Sequence, residues 1–365
     1  MTKKVLVGLS GGVDSAVSAH ILQKKGYQVH GVFMENWQDQ DSHCTTADDR
    51  NQAQLVAEHL GIGLDIVNFS DEYYKTVFDT MLKLLEKGYT PNPDILCNQE
   101  IKFQHLMDYA RKKDAFLATG HYAQIIQNQD TTYLGQGLDK NKDQSYFLCR
   151  IPKDSLEKIL FPLGGMHKTA VRLLAEKLKL PNAKRKDSTG ICFNGKRRFD
   201  DFISGYLLNK PGIIQTLEGK EIGKHDGLFY YTIGQRKGLK IGGGKHFDET
   251  PWYVVDKDMP TRTLIVAQGQ NHPALFKKTL QVEDMHWLKN APSNYFKAHA
   301  KIRHRQNDQT CYVTVLNNDK SKIEIVFEEE QRAITPGQYA VLYQNEICLG
   351  GGAICETSAQ GSGQL

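Results

Sequence analysis

A short glycine-rich turn and two cysteines carry the chemistry that this 365-residue chain could perform. The turn is Gly8-Leu9-Ser10-Gly11-Gly12-Val13-Asp14-Ser15, set between the apolar run Val5-Leu6-Val7 and a stretch of helical period from Ala16 to Lys25. A strand, a glycine turn and a helix aim backbone N–H groups and the positive end of a helix dipole at one point. That point favours phosphate. The hydroxyls of Ser10 and Ser15 add donors. No Lys-Ser/Thr pair follows the last glycine, so a GxxxxGK[ST] loop is excluded, and GxGxxG does not fit either.

The first cysteine closes Pro91-Asn92-Pro93-Asp94-Ile95-Leu96-Cys97-Asn98. Two prolines hold an extended lead-in, and Asn98 is expected to cap the helix that follows. Cys97 then sits beside a helix N-terminus, where the dipole raises the thiolate fraction, and Asp94 could take or give a proton. The bland alternative is a buried, inert thiol beside a capping Asp. Cys192 lies inside Lys184-Arg185-Lys186-Asp187-Ser188-Thr189-Gly190-Ile191-Cys192-Phe193-Asn194-Gly195-Lys196-Arg197-Arg198-Phe199. Such a charge run is ordinarily a solvated face. With a cysteine at its centre it could also stabilise a thiolate or persulfide and attract a polyanion.

The elements that must position these groups alternate in type. Strands are expected at 28–34, 64–68 and 115–119 after the first, and helices at 46–60, 71–86, 98–113 and 168–179. That order implies a parallel sheet covered on both faces, an α/β fold of Rossmann-like character with ligands beyond the carboxyl ends of its strands. The loop 8–15, Met34 and Gly120 all fall at such ends. From about 205 the pattern turns β-rich, at 212–214, 227–234 and 252–255. Beyond 275, six alternating runs (278–288, 296–304, 310–316, 321–327, 338–343 and 346–355) predict a small β-barrel. We expect domains over 1–204, 205–275 and 276–357, then a disordered Gly/Ser/Gln tail over 358–365. Lys301, Arg303 and Arg305 are expected on one face of a strand, as a phosphate-backbone contact or a solvated edge. Glu328-Glu329-Glu330 reads as a solvated turn.

Composition bounds the rest. Hydrophobic content of 40% and charged content of 24% are those of an ordinary globular protein, and a net charge of +4 proves no nucleic-acid partner by itself. No apolar run reaches the length of a membrane span and no signal-peptide core is evident, so a cytoplasmic location is expected. Seven cysteines, with no CxxC and no Cys/His cluster of zinc spacing, argue against a disulfide framework and against a structural metal.

SGGVDS resembles the pyrophosphate-binding loop of ATP pyrophosphatases. With NPDILCN, TGHYA, KDQSYFL, TGICF, YTIGQRKGL, HRQ, PGQ and LGGG following in order, the chain from residue 3 to about 356 looks like a tRNA-specific 2-thiouridylase of the MnmA/TrmU family. The resemblance implies an adenine-nucleotide α-hydrolase-like domain, a small central domain and a C-terminal β-barrel. It implies ATP as substrate, with Mg²⁺, bound at Gly8, Leu9, Ser10, Gly11, Gly12, Val13, Asp14, Ser15, Met34 and Gly120. It implies Cys97 as nucleophile, Cys192 as persulfide carrier, a Cys97–Cys192 disulfide during turnover, and Asp94 as acid or base. tRNA contacts would map to Asn92, Pro93, Asp94, His121, Lys142, Asp143, Gln144, Arg305, Gln306 and Gln338. Partners would be tRNAs for Lys, Glu and Gln, and a sulfur-relay protein or cysteine desulfurase. The chain departs from the family at His304, where a tyrosine is common.

Rival readings share fewer features. A small-molecule adenylating synthetase needs the loop but neither cysteine motif. A lysidine synthetase needs loop and tRNA without the cysteine pair. A non-catalytic tRNA-binding module could lose Asp14, Asp94, Cys97 or Cys192, and all four are present.

Overall fold

The computed structural model describes residues 2–37, 46–187, 198–241 and 250–355. Cys44, Cys192, the cations Lys196 and Arg197, and the tail over 358–365 lie outside them. The chain opens with β1 (Lys4–Gly8), α1 (Val13–Lys24), β2 (Gln28–Glu35), α2 (Thr46–Leu60) and β3 (Leu64–Asn68). A helix over 70–86, α3, contains a π-helical turn at Tyr74–Phe78, and a helix over 93–112, α4, is π-helical from Cys97 to His105. Then come β4 (Phe116–Ala118), a hairpin of β5 (Ala123–Asn128) and β6 (Thr131–Gln136), β7 (Ile159–Leu160) and α5 (Lys168–Lys177).

Five of these strands form one sheet in the order β3-β2-β1-β4-β7, every pairing parallel. The chain departs from β1 toward β2 and later returns on its other side at β4. The crevice between β1 and β4 is therefore a switch point, the place where open parallel sheets hold ligands. The successive residues Val5, Leu6 and Val7 of β1 are all buried, as a strand covered on both faces requires.

Two helix ends follow from local chemistry. α3 stops because Gly88 adopts φ +82°, with Gly88 N–H donating to Leu85 O and Tyr89 N–H to Leu84 O, a Schellman cap. α4 starts earlier than expected. Asn92, not Asn98, is its cap: the Asn92 side chain accepts from Ile95 N at 3.2 Å, with Pro93 at the first helical position. Asn98 lies within the helix, so Cys97 sits past the first turn rather than beside the N-terminus, and the dipole argument for its thiolate weakens accordingly.

After a short helix α6 (Phe199–Ile203), β8 (Gly212–Thr216), β9 (Glu221–His225), β10 (Trp252–Asp258) and β11 (Thr263–Gln268) form a second sheet, ordered β10-β11-β8-β9. The run 227–234 is not a strand; Leu228–Tyr230 is a 3₁₀ turn. The six expected strands follow: β12 (Phe276–Trp287), β13 (Tyr295–Lys301), β14 (Gln309–Val315), β15 (Ile323–Arg332), β16 (Tyr339–Gln344) and β17 (Ile347–Ile354). Pairing of β12 with β17 closes them into a barrel. Glu328–Glu330 belong to β15 rather than to a turn. Arg303 and Arg305 lie beyond the end of β13, so the alternating cationic face does not form.

The β5–β6 hairpin, which the sequence did not announce, extends the barrel sheet through the pair Ile347–Gly135. Behind it the barrel grips residues 143–146. The Asp143 carboxylate, 4% exposed, accepts from Gly137 N, Ser145 N, Ser145 Oγ and Lys301 Nζ. Lys301 is 6% exposed, also faces Asp308 at 3.5 Å, and lies over the Tyr343 ring. Tyr146 donates its hydroxyl to Tyr339 O at 3.0 Å. Breaking a buried pair by removing one partner leaves the other charge stranded. Lys301→Ala is therefore expected to destabilise the protein by roughly 3 kcal/mol, read as a lowered urea midpoint. An unchanged midpoint would mean that the other three donors suffice for Asp143.

Candidate active site

The loop between β1 and α1 is held by its own short side chains. Ser15 Oγ donates to Gly12 O at 3.0 Å and accepts from Ser10 N at 3.2 Å, while Gly12 N donates to Ser10 Oγ at 3.4 Å. Gly11 turns the chain at φ +74°, and a Cβ there would meet Asp49 O at 2.5 Å. Asn182 Nδ2 and Arg185 donate to Gly11 O, and Arg185 also pairs with Asp49. Arg185 is thus turned inward as a buttress, not outward with the solvated cations Lys184 and Lys186.

Gly120, at the end of β4, closes the other side of the cradle. A Cβ at this position would lie 2.9 Å from Ser15 N and 3.0 Å from Asp14 C. The glycine lets the β4 end approach the first turn of α1, and Met34 lies at the end of β2 in the same row of strand ends. The sequence therefore named residues that the fold brings together.

It missed the charges beside them. Lys168 Nζ lies 2.7 Å from both Asp14 oxygens and 2.8 Å from Asp187 Oδ1. Tyr122 donates its hydroxyl to Asp14 at 2.8 Å; Lys142 and Arg172 pair with Asp187. Desolvation by burial would raise the Asp187 pKa, but Lys168 and Lys142 outweigh it and hold the carboxyl far below the usual carboxylate range. Asp139 joins the cluster by accepting from Lys168 N at 2.9 Å, so three cations and three carboxylates form one ionic network next to the phosphate cradle. One signal was available: Lys168 is the first residue of α5, where a cation opposes the helix dipole and needs a reason to be there.

Cys97 is 4% exposed among Trp37, Phe78, Ile101, Phe202 and Ile203. Phe202 and Ile203 follow the Cys192-bearing run directly, so the described residue ending that run on one side, Asp187, is tied to the loop, and the helix on its other side packs around Cys97. Asp94, in the turn before Cys97, is open to solvent, yet surrounding protein desolvates its carboxyl and raises its pKa against the opposing pull of Lys102 and His304. Lys102 Nζ donates to Asn98 Oδ1 at 2.9 Å, and Asn98 Nδ2 donates to Phe147 O at 3.0 Å. The His304 ring lies 4.3 Å from that of Phe147 and bonds Asp143 O through Nε2.

The residues mapped to RNA contact divide by availability. Arg305 is exposed and Lys142 is partly so. His121 lies between Phe103 and Phe161, bonds Thr119 Oγ1 at 2.7 Å, and is kept neutral by burial, which pushes its pKa well below the ordinary value. Gln144 Oε1 accepts from Tyr122 N, Gln306 bonds Ile302 N and Gln331, and Gln338 donates to Thr90 O. The Asp143 carboxylate is enclosed and accepts from the protein's own donors.

Among the described residues no group of three or more His, Cys, Asp or Glu could hold a metal, and no helix is long and apolar enough to cross a membrane. A family profile described as the tRNA methyl transferase HUP domain matches residues 3–196. Its PRC-barrel companion matches 200–268, and an aminomethyltransferase beta-barrel domain matches 277–354. The chain is 50% identical over 363 residues to the tRNA-specific 2-thiouridylase MnmA of Proteus mirabilis, covering 98% of each chain. It is 50% identical over 357 residues to that of Salmonella typhimurium, covering 96% of each. Among solved structures, the U34-tRNA thiolase NcsA from Methanococcus maripaludis is 23% identical over 52% of this chain and 60% of its own, at a TM-score of 0.36. That likeness is too loose to carry an argument.

The cradle makes a test possible without any assumption about the reaction. Gly120→Ala must displace the first turn of α1, whereas a Cβ on Gly165 meets nothing within 4 Å. Calorimetry should find nucleoside triphosphate affinity reduced about tenfold or more in Gly120→Ala, equivalent to about 1.4 kcal/mol, and unchanged in Gly165→Ala. Equal affinities would detach Gly120 from the cradle.

Proposed function

The chain belongs to the MnmA/TrmU family, and we propose that it is a tRNA-specific 2-thiouridylase, an ATP-dependent sulfurtransferase acting on the wobble uridine of tRNAs for Lys, Glu and Gln. One observation carries this reading: near-full-length identity to 2-thiouridylases coincides with a phosphate cradle, a carboxyl of raised pKa and a cysteine on the adjoining helix. The family profile's description names methyl transfer; the cradle favours the phosphates of a leaving group, and the relatives are named for thiolation.

In this reading the wobble base leaves its stack and enters the crevice, because its C2 oxygen is otherwise out of reach. That oxygen attacks the α-phosphorus of ATP, the bond to pyrophosphate breaks, and the N3 proton passes to Asp94. Loop N–H groups and the cations around Asp14 and Asp187 stabilise the departing pyrophosphate. Asp14, whose carboxylate Lys168 and Tyr122 hold beside the cradle, would be the residue to hold a Mg²⁺ ion brought with ATP, which would supply charge neutralisation on the leaving group. The terminal sulfur of a Cys192 persulfide, loaded by a sulfur-relay protein or a cysteine desulfurase, attacks C2 and expels AMP. Cys97 thiolate then attacks the Cys192 sulfur, releasing thiouridine and forming a Cys97–Cys192 disulfide, which two equivalents of an external thiol reopen. Arg305 and Lys142 are the side chains we assign to the RNA backbone; His121 offers a neutral stacking face, and Asn92 and Pro93 shape the pocket around the base.

Mass spectrometry of wobble nucleosides, from cells with and without this gene, separates oxygen-to-sulfur exchange from an added methyl group. We expect 2-thiouridine to vanish with the gene. Restoration should fail for Cys97→Ser and Cys192→Ser and succeed for Cys311→Ser. Thiolation in the absence of either of the first two cysteines would overturn their roles.

Asp94 adds a pH signature. A base must be ionised to accept the N3 proton, so tRNA-dependent pyrophosphate release should decline on acidification through the Asp94 pKa, which desolvation raises from its ordinary value. Asp94→Asn should lower the rate by roughly 10²-fold and abolish that limb. A limb of unchanged position in Asp94→Asn would assign it to another group.

A further inference from the structure

We infer that Gln338 is a positioning residue that fixes the Asn92–Cys97 segment from the barrel, and not simply a surface contact for RNA. This deepens the proposed function, because it rests on the reading that Asp94 and Cys97 act on the wobble base.

Thr90 lies two residues before the cap of α4. Its N–H donates to Pro336 O at 2.9 Å, and its carbonyl accepts from Gln338 Nε2 at 2.8 Å. Both main-chain groups of one residue are therefore bound by one turn of another unit. Gly337 makes that approach possible: it sits at φ +88°, and a Cβ there would fall 2.8 Å from Thr90 N and from Tyr89 Cβ. The turn is rigid in its own right, since Gly337 N donates to Ile354 O at 2.8 Å and Ile354 N donates to Gln338 O at 2.7 Å. Those bonds fasten it to β17, the strand that closes the barrel. The central unit also reaches the same residue, with Thr232 Oγ1 lying 3.5 Å from Thr90 Oγ1.

From Thr90 the constraint runs forward along the chain. Asn92 caps α4 through Ile95 N, and Leu96 N donates to Asn92 O at 3.4 Å. The orientation of Asn92 sets the first turn of α4, and that turn carries Asp94. The far side of the segment is held from the barrel as well. Arg150 joins Gln99 Oε1 at 2.6 Å to Asp284 in β12, through Asp284 O at 2.6 Å and Asp284 Oδ2 at 2.7 Å. A segment of few residues is thus clamped on both flanks by one barrel, and Gln338 is the side chain whose loss opens the clamp nearest the acid–base group.

Three variants separate positioning from RNA contact. Gln338→Met keeps the volume and loses the donor; Gln338→Glu keeps the shape and loses the donor when ionised; Gln338→Lys restores a donor for the Thr90 carbonyl. Hydrogen exchange of the Ile95 and Leu96 amides is measured in the tRNA-free protein, against amides of β14 as reference. Losing one net hydrogen bond should raise exchange at Ile95 and Leu96 roughly fivefold in the Met and Glu variants, with β14 unchanged and with wild-type exchange in the Lys variant. At saturating tRNA the single-turnover thiolation rate should fall in the Met and Glu variants, with tRNA affinity within about twofold of wild type. Unaltered exchange at Ile95 and Leu96 with weakened tRNA binding would overturn the proposal and leave Gln338 an RNA contact. A uniform rise that includes β14 would overturn it too, since that reports global loosening. If wild-type protein thiolates no tRNA, the functional reading fails while the exchange data still judge the clamp.

Discussion

A buried carboxylate organises this molecule. Asp143 receives two backbone N–H groups, a hydroxyl and the ammonium of Lys301. A carboxylate taken out of water is costly unless its lone pairs are met, and removing any one donor leaves a charge in a poor medium. Three of those donors come from the chain around 137–145, and the fourth from the barrel strand β13. The barrel therefore docks where Asp143 can be satisfied. Docking in that register brings Tyr339 O to Tyr146, the His304 ring to Phe147, and the turn at 336–338 to Thr90. The geometry around Asp94 is a consequence of a polar requirement some way from it.

The legible parts of the fold were those whose causes are local. Gly11 at positive φ, the Ser10 and Ser15 hydroxyls, and a strand and helix on either side lie within a dozen residues, and the turn forms as its chemistry dictates. Strand ends at Met34 and Gly120 followed from alternation alone. The misread parts depend on distant partners. Asn92 and Asn98 both precede an apolar stripe; Pro93, which fits the first helical position and no later one, was the sign that favoured Asn92. Lys301 and Arg303 alternate as an exposed strand would, but Lys301 turns inward to Asp143, 158 residues away in sequence. Arg303 turns to Ala333 O. Periodicity carries no information on which face a distant carboxylate will claim. The same holds for Arg185, where a run of cations hid a single member that Asp49 and Gly11 draw inward.

Glycines at the barrel seam show how closely the units approach. A Cβ on Gly351 would meet Cys149 Sγ at 2.8 Å, and one on Gly350 would meet His286 O at 1.9 Å. The LGGG motif is thus a steric requirement of β12 pairing with β17 over a residue of the N-terminal unit, whatever the chain does chemically. Cys149 is part of this packing, and so belongs to the fold and not to the reaction.

That distinction matters for a chain in which sulfur would move. Exchange runs through thiolates, so a protein with seven cysteines risks passing sulfur to the wrong one. Burial pushes the thiols of Cys149 and Cys311 up to about 12, and that of Cys348 well above its ordinary value. At neutral pH a thiol with pKa near 12 is ionised to about one part in 10⁵. Desolvation therefore silences three cysteines by the same burial that stabilises the barrel, and it does so without a dedicated device. Burial alone does not set the reactive thiol apart, since Cys97 is itself only 4% exposed; the three silenced thiols are those enclosed in the barrel or packed against it.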